Sequence, residues 1–141
     1  DDLGLKPTLQ KYIENFSNQN NIRIDLSIRG DETRIRDSNI MLAIFRVVQE
    51  CLTNTGKHAD ATFVSVQLEC TDTVVALRIK DDGVGFDTSM LNEYNRDENG
   101  GFGVFGMKER VELLEGTFSI NSVIGNGTTV KVKLPYELQG G

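Results

Sequence analysis

The sequence predicts an α+β fold: a mixed, mostly antiparallel sheet with helices packed on one face. Three observations predict it. Strictly alternating apolar residues mark half-buried strands. Apolar residues at three- and four-residue spacing mark helices. Tight polar turns join most of the strands, which favours hairpins over repeated βαβ units.

The elements follow in order. Over 5–20, Leu9, Tyr12, Ile13 and Phe16 form one apolar stripe, and Pro7 suits a first helical turn. Asn18–Asn21 reads as a turn. In 22–28, Ile22, Ile24, Leu26 and Ile28 alternate with Arg23, Asp25 and Ser27, and 29–37 is polar and loop-like. Ser38 is placed to cap a long helix that runs to about Ala59. Val64, Val66, Leu68 and Cys70, then Val75, Leu77 and Ile79, form a hairpin around Asp72-Thr73. A glycine turn at 81–87 and a polar stretch at 88–100 precede a helix carrying Met107, Val111 and Leu114, which Gly116 stops. A last hairpin, 117–124 and 128–134, turns at Gly125-Asn126-Gly127.

Composition excludes several function classes. The 141 residues suit one domain, spanning 1–141. Fifteen Lys and Arg against 21 Asp and Glu leave a net charge of −6, without a basic stripe, so no nucleic-acid partner is expected. A local anion site stays open, because backbone N–H groups and one lysine suffice for it. No apolar run approaches the ~18 residues of a membrane helix, so no direct membrane contact is expected. Cys51 and Cys70 lack the spacing of a zinc site. They read as buried small hydrophobes of a reducing, cytoplasmic compartment, with a disulfide as the alternative. Asp1 is neither an initiator Met nor the start of a signal peptide, so the chain reads as a piece of a longer protein.

The long helix carries chemistry on one face. Glu50, Asn54, Lys57 and His58 share an arc of about 100°. A solvated stripe is the plain reading. Asn is a poor choice for a free helical surface, and an acid, an amide, an amine and an imidazole together suit a hydrated metal with phosphates. His58, the only histidine, also suits the helix C-terminal dipole. In DDGVGFD (81–87), Gly83 and Gly85 permit positive φ and close approach to a ligand, and Asp81 is an acceptor at a strand end. Gly101, Gly103 and Gly106 precede a helix, where backbone N–H groups favour phosphates. No Walker loop or dinucleotide fingerprint is present. Thr128 starts the last strand and is placed to back up Asp81.

These motifs together resemble a family. ECLTNTGKH (50–58) resembles the N box of the GHKL, or Bergerat-fold, ATPase superfamily. DDGVGF (81–86) is similar to its G1 box, GFGVFGMKER (101–110) to its G2 box, and GNGT (125–128) to its final glycine-threonine element. FRVVQE (45–50), GMKER and the opening DDLGLKPTL are similar to the ATP-binding catalytic domain of NarL-type sensor histidine kinases, the DegS/NreB-like branch of the two-component systems. The resemblance covers nearly the whole chain and implies a two-layer α/β sandwich that binds ATP with Mg²⁺. It implies that Asn54 ligates the metal, with Glu50 holding a metal-bound water or polarising the attacking group. Lys57 and His58 would lie by the phosphates. Asp81 would bind the adenine amino group, supported by Thr128, with Gly83 and Gly85 passing the base. Residues 87–100 would form an ATP lid, hinged on the phosphates by Gly101, Gly103 and Gly106.

The implied reaction moves the γ-phosphoryl group to a histidine on a dimerisation helix, expected upstream of Asp1, and then to a response regulator. The domain alone would then be a monomer that does not autophosphorylate, and the parent protein is either soluble or membrane-tethered. A nucleotide-binding switch without transferase activity and an anti-sigma-type serine kinase are the alternatives on the same fold. Two positions depart from the family pattern. Gly56 interrupts the N-box helix, and Phe102 stands where many relatives have a polar residue.

Overall fold

The computed structural model describes residues 4–85 and 103–136; within them, the side chains of His58 and Ala59 are not described. Helix α1 spans Leu5–Asn20 and buries Leu9 and Ile13, with Tyr12 and Phe16 half-buried beside them. Asn21 closes it in the left-handed conformation (φ 54°). Strand β1 (Arg23–Gly30) runs two residues into the segment expected to be loop, because its backbone pairs with a neighbour as far as Gly30. A short 3₁₀ turn, Glu32–Arg34, follows.

Helix α2 spans Ser38–Asn54, and its cap is Asp37, not Ser38. Asp37 is extended, its carboxylate accepts from Asn39 N at 2.8 Å, and its carbonyl accepts from Met41 N at 3.1 Å, so Ser38 already lies inside the helix. Regular α geometry also ends five residues before Ala59. Thr55–Ala59 widen into a single π turn, closed by left-handed Asp60. Gly56 accounts for this locally. A Cβ there would lie 3.2 Å from the Phe16 ring, so glycine lets α1 pass over the turn.

Strands β2 (Phe63–Cys70) and β3 (Val74–Asp81) form the expected hairpin. Helix α3 spans Val104–Leu113. Its stop differs from expectation, since the left-handed residue is Glu115 (φ 63°). Gly116 serves close packing instead, because a Cβ on it would sit 2.4 Å from the Lys133 carbonyl oxygen. Strands β4 (Thr117–Val123) and β5 (Gly127–Pro135) complete the chain's described part. The 87–100 stretch, Gly101 and Phe102 lie outside the described residues.

The sheet order is β1-β2-β3-β5-β4. Only β1–β2 is parallel, joined across α2; the other pairs are antiparallel. Register lines up rows across the inner face. Leu26, Val66, Ile79, Val130 and Ile120 form one row, and Ile28, Leu68, Leu77, Val132 and Phe118 the next. The helices cover these apolar rows and form one core with them. The row at the sheet end is different: Ile24, Val64, Asp81, Thr128 and Ser122. There the apolar face gives way to polar groups, and the site is built on that end.

Leu52, fully buried on α2, is a sensitive point of this packing. Leu52→Ala is expected to lower the unfolding free energy by about 2–5 kcal/mol. Leu42→Ala, at a position 45% exposed on the same helix, should cost less than about 1 kcal/mol. Urea unfolding of both variants checks the difference.

Candidate functional site

Asp81 ends β3 with its carboxylate turned to the inner face, and it is buried. A buried carboxylate must be hydrogen-bonded to remain there, and the turn after β3 and strand β5 supply donors. Oδ1 accepts from Gly83 N at 2.9 Å and from Thr128 N at 3.3 Å. Oδ2 faces the Thr55 hydroxyl at 3.3 Å. That hydroxyl has a nearer acceptor in the Cys51 carbonyl, 2.9 Å away. One hydroxyl carries one proton, so Oδ2 keeps capacity for a donor arriving from the crevice.

The polar row continues along the sheet end. Thr128 Oγ1 and Ser122 Oγ lie 2.8 Å apart, and Ser122 also bonds the Gly127 carbonyl at 3.2 Å. Gly127 (φ 81°) lies so close that a Cβ would stand 2.2 Å from the Asp81 carbonyl oxygen. Gly85 (φ 69°) answers the same need. A Cβ there would meet the Val123 carbonyl at 2.2 Å, so its glycine requirement is set by the β4–β5 turn of the protein itself. Gly83 contributes its N–H to Asp81.

Asp82 pins this turn from the other side. Its Oδ1 accepts from Thr62 N at 2.9 Å and Phe63 N at 3.0 Å, and its Oδ2 from the Thr62 hydroxyl at 2.8 Å. The Phe63 N–H bond, then the Thr62 hydroxyl, holds the Asp82 carboxyl below its ordinary value.

The end of α2 borders the same crevice. Glu50 and Asn54 are half-buried and therefore do not form a solvated stripe, while Lys57 in the π turn is exposed. Upstream, Ala43 and Val47 of the same helical face are fully buried, so Glu50 and Asn54 continue a face that turns inward. Burial raises the Glu50 carboxyl above its ordinary value, and the Lys57 charge opposes that shift. Tyr12 of α1 backs this group. Its ring packs edge-on against Phe45 with centroids 5.4 Å apart. Burial pushes its phenol up; the hydrogen bond with Thr53 opposes this and the Glu50 charge reinforces it. Helix α3 closes the crevice from above, with Met107 Sδ 3.9 Å from Cys51 Sγ. Its N-cap is Gly103, and among the described residues no side chain caps it and none lies within 4 Å of where a Gly103 Cβ would be. Gly106 lies within the first turn of α3. Both cysteines are free and buried, and burial raises both thiols, Cys70 to about 11.

The structure thus brings Asp81, Gly83 and Thr128 into direct contact and sets Glu50, Asn54 and Lys57 on the adjoining helix end. The backbone of His58 follows in the π turn, but its side chain, like Gly101, is not described. Thr55, Ser122, Tyr12 and Asp82 escaped the sequence reading. Ser122 has the same inward parity as Phe118 and Ile120, which was a usable signal. Among the described residues, no group of three or more His, Cys, Asp or Glu is placed to hold a metal.

Residues 39–138 match the family model described as histidine kinase-, DNA gyrase B-, and HSP90-like ATPase. The chain is 42% identical over 140 residues to the signal transduction histidine-protein kinase/phosphatase DegS of Bacillus subtilis (strain 168), covering 98% of this chain and 36% of that protein. It is 35% identical over 136 residues to the oxygen sensor histidine kinase NreB of Staphylococcus carnosus (strain TM300), covering 96% and 37%. The chain therefore spans about a third of the length of these curated relatives. Among solved structures, the histidine kinase domain of the Erythrobacter litoralis EL346 blue-light activated histidine kinase superposes with a TM-score of 0.65 at 20% identity, over 94% of this chain and 61% of that one. That likeness shows the shared fold.

Two pH-dependent outcomes follow from the shifts. The lowered folded pKa of Asp82 stabilises the fold above the unfolded value of about 3.9 and ceases to do so as pH falls through the lower, folded value. Asp82→Asn should therefore be less stable than the parent at pH 7, with the gap closing in acid. Glu50 has the opposite sign: its raised folded pKa means that stability falls as pH rises through it. Glu50→Gln should accordingly be more stable than the parent at pH 7, with the gain vanishing below about pH 4, where the carboxyl is protonated in both states. Urea midpoints measured across this pH range test both.

Proposed function

Because the chain belongs to the histidine kinase-, DNA gyrase B-, and HSP90-like ATPase family, we propose that the crevice binds ATP with magnesium and forms the catalytic site of a sensor histidine kinase. The observation that carries this reading is the Asp81 carboxylate. Two backbone N–H groups fix Oδ1, and Oδ2 keeps an acceptor site toward the crevice. A carboxylate held in this way takes a hydrogen bond from an exocyclic amino group without reorganising. Thr128 and Ser122 extend the polar floor beneath the base, and Gly83 carries the backbone past it.

The phosphates then extend toward the end of α2 and the start of α3. Lys57 supplies a point charge, and the backbone at Gly103 and Gly106, at the start of α3, supplies N–H groups. Asn54 and Glu50 offer one amide oxygen and one carboxylate on successive turns of α2. That donor set fits magnesium, which keeps most of its waters and is completed by phosphate oxygens. The ion would lower the barrier by spreading the triphosphate charge in an in-line displacement. Glu50, its proton affinity raised by burial, orients the attacking group.

The acceptor in this reading is a histidine on a dimerisation helix, because His58 is the chain's only histidine and belongs to the π turn beside the phosphates. Onward transfer goes to an aspartate of a response regulator. The names of the curated relatives support the kinase reading. Two free, buried cysteines accord with a cytoplasmic location, and no described helix is long and apolar enough to cross a membrane.

Calorimetry tests the site. Asp81→Asn is expected to weaken Mg-ATP binding about 10–100-fold, the loss of a charge-assisted hydrogen bond in a buried place. Asn54→Ala should remove most of the magnesium dependence of the affinity. Unchanged binding in both variants would overturn the assignment. Mixing the domain with a histidine-bearing helical acceptor domain and ATP should give acid-labile phosphate on the acceptor. Acid-stable phosphate would mark a serine kinase, and binding without transfer a nucleotide switch.

A further inference from the structure

We propose that the outer face of the sheet, over β3, β5 and β4, docks a carboxylate-rich segment of a partner protein. This face lies opposite the nucleotide crevice and is not part of the reading above. Register places Arg78 and Lys80 of β3 beside Lys131 and Lys133 of β5. The other outward residues of these strands are Val74 and Ala76, then Thr129 and Pro135, and on β4 Thr117, Ser119, Asn121 and Val123. None of them is acidic.

Arg78 and Lys131 stand directly opposite each other, a like-charge pairing that weakens a sheet. Gln67 Oε1, at 3.5 Å, is the acceptor Arg78 finds. Among the described residues, none of the four cations has an ion pair; those present join Arg23 to Asp25 and Arg34 to Asp72. Between them lies a shallow depression of about 190 Å³ lined by Arg78, Lys131, Ser119, Asn121 and Thr129. Two cations, two hydroxyls and an amide form a donor set for carboxylates. The depression is basic on a chain of net charge −6, so it is a local reversal of the charge of the chain. Val123, 57% exposed, and Ile124, 71% exposed, stand at the end of β4 and add an apolar edge.

A protein segment fits these features better than other polyanions. The three strands present no aromatic side chain to this surface on which bases would stack. The apolar edge is aliphatic and small, without the aromatic or leucine-rich anchor of a membrane-surface site.

Fluorescence anisotropy with a labelled deca-glutamate peptide tests the proposal on the 141-residue chain. Binding is expected at low ionic strength, and it should weaken as the screening length falls to about 8 Å near 0.15 M salt. R78S/K131S should bind the peptide about tenfold less tightly with its ATP affinity unchanged. Lys131→Glu, which pairs with Arg78 across the strands, should lose the peptide as well and remain folded. Equal peptide affinity in parent and both variants would overturn the proposal. So would tighter binding of single-stranded DNA or phosphatidylserine vesicles than of the peptide.

Discussion

The site depends on one buried carboxylate met from three directions. Asp81 is fixed because Gly83 N and Thr128 N donate to it from a turn and a neighbouring strand, while the Thr55 hydroxyl faces it from the end of a helix. Each group is available only because something else is in place. Thr128 N arrives through the β3–β5 register, and Gly127 admits the close approach of the two strands. Thr55 arrives because it follows the last turn of α2, with αR dihedrals and its N–H on the Cys51 carbonyl. An unpaired carboxylate at this depth would be strongly destabilising, so the fold and the site are coupled through it.

That coupling explains the division of the sheet. Successive inner rows are apolar and carry the helices, while the last row turns polar at Asp81, Thr128 and Ser122 and borders the crevice. Helix α2 divides the same way along its length. Ile40, Ala43, Ile44, Val47 and Val48 are buried, and Glu50 and Asn54 then take over part of that surface. A half-buried Glu50 with a raised pKa is a poor choice for stability and a suitable one for a group that must handle a proton or a hydrated ion. The π turn that follows lies at the same end of the helix, and such turns are frequent at functional sites.

The outer face follows a different logic. Among the described residues no helix packs on it, and its charges are not balanced. Arg78 and Lys131 are 53 positions apart by number and neighbours by register. A linear scan for basic stripes therefore passes over them, and the net charge of −6 points the other way.

The sequence by itself determined the element order, the alternation of the strands and the four glycine and polar motifs, because these are local: a period of two or 3.6 and a turn residue need only their neighbours. Asp81 and Thr128 were legible as strand-end polar residues beside glycines, but the burial of Asp81 and its bond to the Thr128 backbone N–H came only with the β3–β5 register. Other features were decided by tertiary structure alone. The cap shifted to Asp37 because hydrogen bonding, not residue type, selects among adjacent Asp and Ser. The α2 end became a π turn under Phe16, a contact from a helix 40 residues away. Gly85 and Gly116 make room for carbonyls of distant strands, and Tyr12, part of the core stripe by its spacing, stands beside Glu50. Each of these depends on which surface meets which, and that is fixed only when strands of distant sequence come into register.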